Sequence, residues 1–376
     1  MLNNMKLRQA GVSLIELLVG LVIGLFATLA IMQVFSVFEG QKRTTSGSAD
    51  AQTNGVIAMM NIQRSVKMAG YGLSMPMADV DNNSLICDKF ADFDLDPADP
   101  TSAINLFPIE INDGGGAVND TITVRYSTSV KGAVPVQIED VTGNTLQVEN
   151  VIGCGAEMAE DSYNALYPPE RPNVVLIMKA RTCGMAFINE QPKEGVRDVA
   201  AGTIGLGEIT LTAMPDAFTT QGLTVNIGDQ LSCMGNWASH TFDVSNNNEL
   251  QRNQQAIVSG VVGLQAQYGV SATAENNSVV SWEDATGIWA NPTVENRNRI
   301  KAIRVAVVLR NGLREKQVDG HDVTVAAPKA WVDSGTATIN LDVSALPNWE
   351  QYRYRVFGTT IPMRNMLWSR EAVEGL

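Results

Sequence analysis

The sequence predicts an α+β fold, in which one long N-terminal helix precedes a β-rich region of antiparallel strands. Two observations support this prediction. An apolar run extends from Leu17 to Phe38, and residues 56–67 continue with apolar side chains at three- and four-residue steps, as on one face of a helix. Beyond Leu73, short segments instead alternate apolar and polar residues between turns, as half-buried strands do.

The apolar run is long enough to cross a membrane. Its 22 residues make a helix of roughly 33 Å, against a hydrocarbon core of about 30 Å. Lys6 and Arg8 precede the run and no second run of this kind follows, which predicts a cytoplasmic N-terminus with the bulk of the chain outside. A secretory signal would have a shorter apolar core with its cleavage site after it, so that alternative is disfavoured.

One carboxylate, Glu16, lies at the start of this run. An ionised acid in hydrocarbon is costly unless it has a partner. Cleavage after Gly11 would make Val12 the first residue and Glu16 the fifth, about one helical turn from the new amino group. We therefore expect Glu16 to pair with that amino group or with the one of a neighbouring chain. The alternative is an ordinary single-pass anchor with an unpaired acid.

The helix is predicted to continue beyond the membrane and to stop near residue 70. Gly70 and Gly72, followed by Pro76, supply the stop signal. The intervening segment 39–54 is polar, and we expect the helix to be frayed or locally unwound there. Three glycines lie in or beside that segment: Gly40, Gly47 and Gly55.

Several segments between residues 73 and 255 have the patterns of half-buried or fully buried strands. They are Thr121–Tyr126, Thr145–Val148, Asn173–Lys179 and the segment from the turn at Gly228 to Cys233. Residues 256–270 fit a short helix as well as a strand. Residues 300–309 and 351–357 alternate most strongly, and we predict that they are neighbouring antiparallel strands.

Composition limits the partners. The formal charge is −13, and it becomes −15 without Lys6 and Arg8, which disfavours nucleic acid as the main partner. All four cysteines lie beyond the predicted membrane span: Cys87, Cys154, Cys183 and Cys233. An even number of cysteines in an oxidising compartment predicts one or two disulfides, and the sequence leaves the three full pairings open.

Candidate sites for chemistry are few. Three aspartates have the alternating spacing of a calcium loop: Asp92, Asp94 and Asp96. An EF-hand also needs Gly and Glu where this chain has Pro97 and Ala103, so we interpret the segment as a solvated acidic loop, with another type of calcium site as the alternative. His240 and His321 match no ligand motif and are interpreted as surface or loop residues. Since no catalytic or nucleotide-binding motif is present, we predict that the protein is not an enzyme and has no cofactor.

The start of the chain resembles the class III signal of type IV pilins and type II secretion pseudopilins. The shared features are a short basic leader, a glycine at the cut, a hydroxyl residue in second place, Leu-Ile, and a fifth-position Glu before an apolar helix. This resemblance implies that a prepilin peptidase in the inner membrane cuts between Gly11 and Val12, that Val12 is N-methylated, and that Glu16 aids assembly. Val12 stands where Phe is usual, and Gln33 stands where the family has proline.

Other blocks resemble PilW-like minor pilins. They are Ile62–Gly72, Gly260–Gly269, Tyr354–Asn365 and the strand beginnings at Asn119–Ser127 and Ile227–Cys233. The block at 260–269 also resembles J-type pseudopilins. The resemblance implies a pilin-type β domain with a large β insertion. The chain then divides into a leader 1–11, a transmembrane or assembly helix 12–38, its periplasmic continuation 39–72, a β-rich inserted region 73–255 and a C-terminal antiparallel sheet region 256–376.

The function implied by this resemblance is that of a minor pilin that primes type IV pilus assembly near the filament tip. A chain of 376 residues is bulky for a subunit repeated along a whole fibre. Expected partners are the prepilin peptidase, the inner membrane, other minor pilins, the major pilin and a tip adhesin. The precursor is expected in the inner membrane with a periplasmic C-terminal domain, and the mature chain in a surface filament that serves twitching, adhesion or DNA uptake. Two alternatives stay open, namely a J-type pseudopilin of type II secretion and a periplasmic enzyme or binding protein with a pilin-type anchor.

Overall fold

The computed structural model describes residues 13–73, 89–90, 93–94, 103–104, 107–115, 119–129, 134–156, 158, 160–167, 173–179, 182–195, 197–198, 203–215, 223–274, 276–315, 322–326, 328–330, 339–340 and 343–365. The α-helices in these ranges are α1 (Leu14–Met68), α2 (Glu160–Leu166) and α3 (Val294–Arg299), and the 3-10 turns are Gly287–Trp289 and Trp349–Gln351. The strands are β1 (Lys89–Phe90), β2 (Phe93–Asp94), β3 (Ala103–Ile104), β4 (Ile109–Asn112), β5 (Thr121–Ser127), β6 (Pro135–Thr142), β7 (Thr145–Val148), β8 (Val174–Lys179), β9 (Thr182–Phe187), β10 (Arg197–Asp198), β11 (Thr203–Ile204), β12 (Gly207–Thr210), β13 (Gln230–Gly235), β14 (Trp237–Val244), β15 (Glu249–Arg252), β16 (Gln255–Ser259), β17 (Val261–Val270), β18 (Ser281–Glu283), β19 (Ile300–Arg310), β20 (Lys329–Ala330), β21 (Ile339–Asn340) and β22 (Tyr354–Pro362).

Helix α1 is continuous over 55 residues, so the expected fraying between residues 39 and 54 is wrong. From Gly47 onward, the reason is tertiary packing, which supplies what the local helix propensity lacks. The space beside Gly47 is filled by Asn311, and the space beside Gly55 is filled by the ring of Phe357. The helix ends where the sequence predicts, because Gly70 adopts a φ of +73° immediately after the C-terminal turn.

Three larger sheets form the described part of the domain. Their strand orders are β1-β9-β8-β13-β6-β7-β12, β16-β15-β14-β5-β4 and β18-β17-β19-β22. The pair β1–β9 is parallel, whereas the five-stranded and four-stranded sheets are antiparallel throughout. A long helix followed by an antiparallel, β-rich domain confirms the predicted α+β class.

The strands predicted from alternation are present. Thr121–Tyr126 lies in β5, Thr145–Val148 is β7, Asn173–Lys179 contains β8, and the turn at Gly228 leads into β13. Residues 256–270 form two strands and no helix, because Gly260 adopts a φ of +80° and turns β16 into β17. Strands β19 and β22 pair antiparallel, as predicted for residues 300–309 and 351–357, although β22 begins only at Tyr354 and Gln351 belongs to a 3-10 turn.

The main hydrophobic core lies between α1 and the sheets. On the helix, Ala58, Ile62 and Val66 are fully buried, and α1 contacts β5, β16, β19 and β22. A second core lies on the other face of the seven-stranded sheet. Strand β8 supplies Leu176 to the first core and Ile177 to the second, since neighbouring residues of a strand point to opposite faces. This double burial explains why the sequence of β8 is continuously apolar.

One described disulfide joins Cys154 to Cys233 across 79 residues of sequence. It links the turn that precedes α2 to strand β13 and belongs to the second core. Cys183 is also disulfide-bonded, and Cys87 lies outside the described residues. The bond at Cys154 therefore ties the seven-stranded sheet to the loop that covers it.

Candidate functional site

The N-terminal half of α1 stands free of the domain. Every described residue from 13 to 42 is exposed. An 18-residue window of the helix has a mean hydropathy of 2.6 and none of it is buried. By length and composition, this is the one helix in the described ranges that is able to cross a membrane. Its exposed large apolar side chains are Leu14, Ile15, Leu17, Leu18, Val19, Leu21, Val22, Ile23, Leu25, Phe26, Leu29, Ile31, Met32, Val34, Phe35, Val37 and Phe38.

The helix begins with a reciprocal cap that involves Glu16. The Ser13 hydroxyl accepts a hydrogen bond from the Ile15 amide at 3.3 Å, and the Glu16 carboxylate accepts one from the Ser13 amide at 3.2 Å. This capping box holds the carboxylate beside the positive end of the helix. Gly11 and Val12 lie outside the described residues, so the cleavage site and the pairing of Glu16 with a new amino group stay predictions.

Beyond its exposed half, α1 packs against β22, the edge strand of the four-stranded sheet. Nη2 of Arg355 donates a hydrogen bond to the Ser48 hydroxyl at 2.6 Å. Further along the helix, the ring of Phe357 fills the space that a side chain at position 55 would need. The absence of a side chain at Gly55 is thus what lets the helix and the strand approach each other.

The end of the described chain returns to the end of α1. The side-chain amide of Asn365 lies 3.0 Å from the carbonyl oxygen of Ala69, and 3.4 and 3.3 Å from those of Lys67 and Met68. The last carbonyls of a helix lack intrahelical donors, and this amide supplies one. This contact is not visible in the sequence, because the partners are 296 to 298 residues apart. The available signal was the Asn that closes the block at 354–365.

A polar cluster joins α1 to the five-stranded sheet. Nδ1 of His240 lies 3.3 Å from both the Ser65 hydroxyl and the Tyr126 hydroxyl, and the Tyr126 and His240 rings meet edge to face. Burial, followed by the positive charge of Arg252, lowers the pKa of His240, which favours the neutral form of the ring. The interpretation of His240 as a surface or loop residue is therefore wrong, since it is half-buried within β14. His321 lies outside the described residues.

Helix α1 keeps an exposed apolar surface even where its other side is buried in the domain. Val56, Ile57 and Met60 are 57%, 38% and 61% exposed. Residues three and four apart share one face of a helix, so these side chains form a short apolar stripe. Arg64 follows Met60 by one turn and is exposed as well. We call Val56, Ile57 and Met60 the apolar stripe.

The carboxylates of the predicted calcium residues lie outside the described part of the structure. Asp92 and Asp96 lie outside the described residues, and Asp94 is described only through the backbone of β2. The acidic-loop interpretation and its calcium alternative both stay predictions.

Comparison with known protein families finds a match in the C-terminal part of the chain. Residues 229–365 match the model of the family PilW, Type IV Pilus-assembly protein W. The matched part begins at the turn before β13 and ends at Asn365, so it includes the whole four-stranded sheet and the strand that packs on α1. No curated protein and no solved structure matches the chain. The match makes residues 229–365 PilW-like and supports involvement of the chain in type IV pilus assembly.

Proposed function

We propose that this PilW-like chain is a minor pilin, which is inserted in the inner membrane as a precursor, cleaved by prepilin peptidase after Gly11, and then assembled into a type IV pilus. One observation carries the proposal. A single helix has an exposed apolar half and a second half that packs into a domain whose C-terminal part is PilW-like. We also propose that its work is assembly and not catalysis.

The exposed half of α1 requires an apolar environment. Leaving a large apolar side chain in water instead of burying it costs about 1.5–3 kcal/mol, and 17 such side chains are exposed between Leu14 and Phe38. The bilayer provides the apolar environment for the precursor, with the domain in the periplasm. In the filament, the helices of neighbouring subunits replace the lipid. Because lipid tails are as apolar as leucine, close packing and polar pairs must favour the assembled state.

Glu16 is the polar group that we propose for this pairing. Within the described residues, its carboxylate accepts one hydrogen bond, from the Ser13 amide. A carboxylate has several acceptor positions, so Glu16 retains capacity for an ammonium group. Cleavage after Gly11 creates that group on Val12, and N-methylation leaves it charged. In the membrane this amine would belong to the same chain, and in the filament to a neighbour.

The size of the domain and the apolar stripe support a place among other pilins near the filament tip. Three larger sheets, of seven, five and four strands, follow one helix, and such a domain is bulky for a subunit repeated along a fibre. The apolar stripe extends the exposed apolar surface of α1 beyond residue 38, where a helix of another subunit would cover it. We propose that the chain primes assembly together with other minor pilins, and that it supports the major pilin and a tip adhesin.

Mass spectrometry of the N-terminus tests this proposal. The chain would be purified from membranes and from sheared filaments, in strains with and without prepilin peptidase. We expect a peptide that begins at methylated Val12 only when the peptidase is present, and we expect it in sheared pili. An uncut Met1 in both strains would contradict the proposal. Cleavage without recovery in pili, in a strain whose protein secretion fails when the gene is deleted, would favour a J-type pseudopilin.

Glu16→Gln provides a second test. Glutamine preserves the size of the side chain and a carbonyl acceptor for the Ser13 amide, but it cannot neutralise an ammonium group. We expect normal cleavage and membrane insertion with strongly reduced recovery in sheared pili. Glu39→Gln is the matched control, since it changes the same chemical group just after the apolar run. Equal incorporation of the two variants would remove the role proposed for Glu16.

A further inference from the structure

Two arginines, one on α1 and one at the end of β15, have no acidic partner within the described part of the chain. Arg64 is exposed and follows the apolar stripe by one turn, and Arg252 ends β15. Neither side chain forms an ion pair or a hydrogen bond with another described residue. By contrast, Arg125 on strand β5 pairs with Glu110 at 2.8 Å. Arg64 and Arg252 therefore offer two positive charges in a protein of net charge −13.

Both arginines interact electrostatically with the hydroxyl group of Tyr126. The positive charges of Arg252 and Arg64 lower the pKa of Tyr126, against the larger effect of burial, which raises it. Arg252 also opposes protonation of His240. The Tyr126 hydroxyl lies 3.3 Å from Nδ1 and 3.5 Å from Nε2 of that histidine. Ser65, the neighbour of Arg64 in α1, places its hydroxyl 3.3 Å from Nδ1 of the same histidine. We call four side chains the basic cluster: Arg64, Arg252, Tyr126 and His240.

Strand register explains why the basic cluster forms on the side of the sheet that faces α1. Phe242 is the cross-strand partner of both Ile122 and Arg252, and cross-strand partners share a face. Phe242 and Ile122 belong to the core under α1. Arg252 therefore lies on that same face, at the end of β15.

We propose that the basic cluster is a docking site for a carboxylate side chain of a neighbouring filament subunit. The inference rests on the proposed function and deepens it. A guanidinium group binds a carboxylate through two parallel hydrogen bonds, and a tyrosine hydroxyl and a neutral imidazole supply further neutral donors. Two neighbouring cations repel each other, and an anion between them removes that repulsion. Arginine and tyrosine are also enriched in the buried centres of protein interfaces.

The position of the basic cluster identifies the occupant as another subunit. The cluster continues the apolar stripe along α1, so a helix that covers Val56 and Met60 also reaches Arg64. The partner surface is then an apolar face that ends in an Asp or Glu. Its carboxylate becomes desolvated on docking, which strengthens its attraction to the two guanidinium groups.

The anion site is tested on the purified full chain in detergent micelles. The chain has 2 histidines, so the ring signals of His240 are assigned by NMR with a His321→Gln variant. Sodium acetate is added at constant ionic strength, with sodium chloride as the reference salt and sodium phosphate in a parallel titration. We expect acetate to shift the His240 signals and to raise the pKa of its ring, because a bound anion favours the charged form.

Arginine variants decide whether the response belongs to the basic cluster. Arg252→Gln and Arg64→Gln should each weaken the acetate response about tenfold, since each removes a charge-assisted hydrogen-bond donor. Lys67→Gln, which removes a charge from an exposed neighbouring residue of α1, should leave the response unchanged. Unchanged His321 signals would verify that the shift is local. An equal response in the Arg252→Gln chain, or a response to phosphate alone, would overturn the carboxylate assignment.

The partner is tested in cells. Arg252→Glu and Arg64→Glu should each reduce the yield of sheared pili by a factor at least as large as the loss of acetate affinity. Lys67→Glu should leave piliation intact. Suppressor selection on Arg252→Glu should return an Asp or Glu changed to Lys or Arg in another pilin gene. Suppressors confined to this chain would overturn the proposed partner. Normal piliation after deletion of the whole gene would instead refute the proposed function. The acetate titration measures anion binding to the purified chain, so its outcome does not depend on pili.

Discussion

Replacing Gly55 with alanine should destabilise the chain, even though alanine is the better helix former. A Cβ at position 55 would meet three atoms of the Phe357 ring at less than 3.0 Å, which requires the ring or the helix to move. The ring belongs to β22, whose backbone is held by its pairing with β19. Gly40 provides the matched control in the same helix, because nothing lies within 4 Å of its Cβ position.

The magnitude follows from two opposing effects. Overpacking costs about 1–3 kcal/mol, whereas the gain in helix propensity from glycine to alanine is about 1 kcal/mol. Gly55→Ala should therefore lower the free energy of unfolding by up to about 2 kcal/mol, and Gly40→Ala should raise it by up to about 1 kcal/mol. Combined with Phe357→Leu, which removes the ring, Gly55→Ala should lose its penalty and become stabilising.

The assay is urea unfolding of the full chain in detergent micelles, followed by tryptophan fluorescence. A double-mutant cycle over positions 55 and 357 isolates the coupling energy between the two side chains. We expect about 1–3 kcal/mol, with alanine at position 55 less favourable when the Phe357 ring is present. If Gly55→Ala stabilises the chain as much as Gly40→Ala does, with or without the ring, the close packing of α1 on β22 is refuted.

Three further predictions concern the domain. Burial raises the pKa of Asp120 from 3.8 to about 7, so the folded chain retains a proton that the unfolded chain has lost, and the free energy of unfolding should fall as pH rises from about 4 to about 8. Urea midpoints across that range check this, Asp120→Asn should flatten the slope, and a flat wild-type profile would contradict it. Asn365→Ala removes the donor at the C-terminus of α1 and should cost about 1 kcal/mol, with faster amide exchange in the last helical turn; unchanged exchange there would rule out the cap. Replacing Cys154 and Cys233 together with serine opens a link across 79 residues and should lower the free energy of unfolding by about 2–5 kcal/mol, whereas an unchanged urea midpoint would show that the bond adds no stability.

Much of the secondary structure was predictable because its causes are local. Strands β5, β7 and β8 were visible as alternating or continuous apolar patterns, which reflect one or two buried faces. The end of α1 was visible because Gly70 and Gly72 supply the positive φ that other residues rarely adopt.

The failed predictions depended on distant partners. Segment 39–54 was expected to fray on propensity alone, yet Gly47 in this segment and Gly55 just after it are sites of close packing against residues 311 and 357. His240 had no local motif, and its partners Ser65 and Tyr126 are 175 and 114 residues away in the chain. A one-dimensional pattern does not contain such pairings, because they depend on sheet order and on where the helix crosses the sheets.

By itself, the sequence determined the long helix, its exposed apolar half, the antiparallel β-rich class and the likeness to pilins, since these follow from hydrophobic periodicity and short motifs. The tertiary structure alone decided why Gly55 must lack a side chain, why Asn365 ends beside α1, and why the charges of Arg64 and Arg252 act on the Tyr126 hydroxyl. The physical reason is that burial of the whole domain sets strand register and helix position together. Contacts between residues far apart in the chain exist only once that packing is complete.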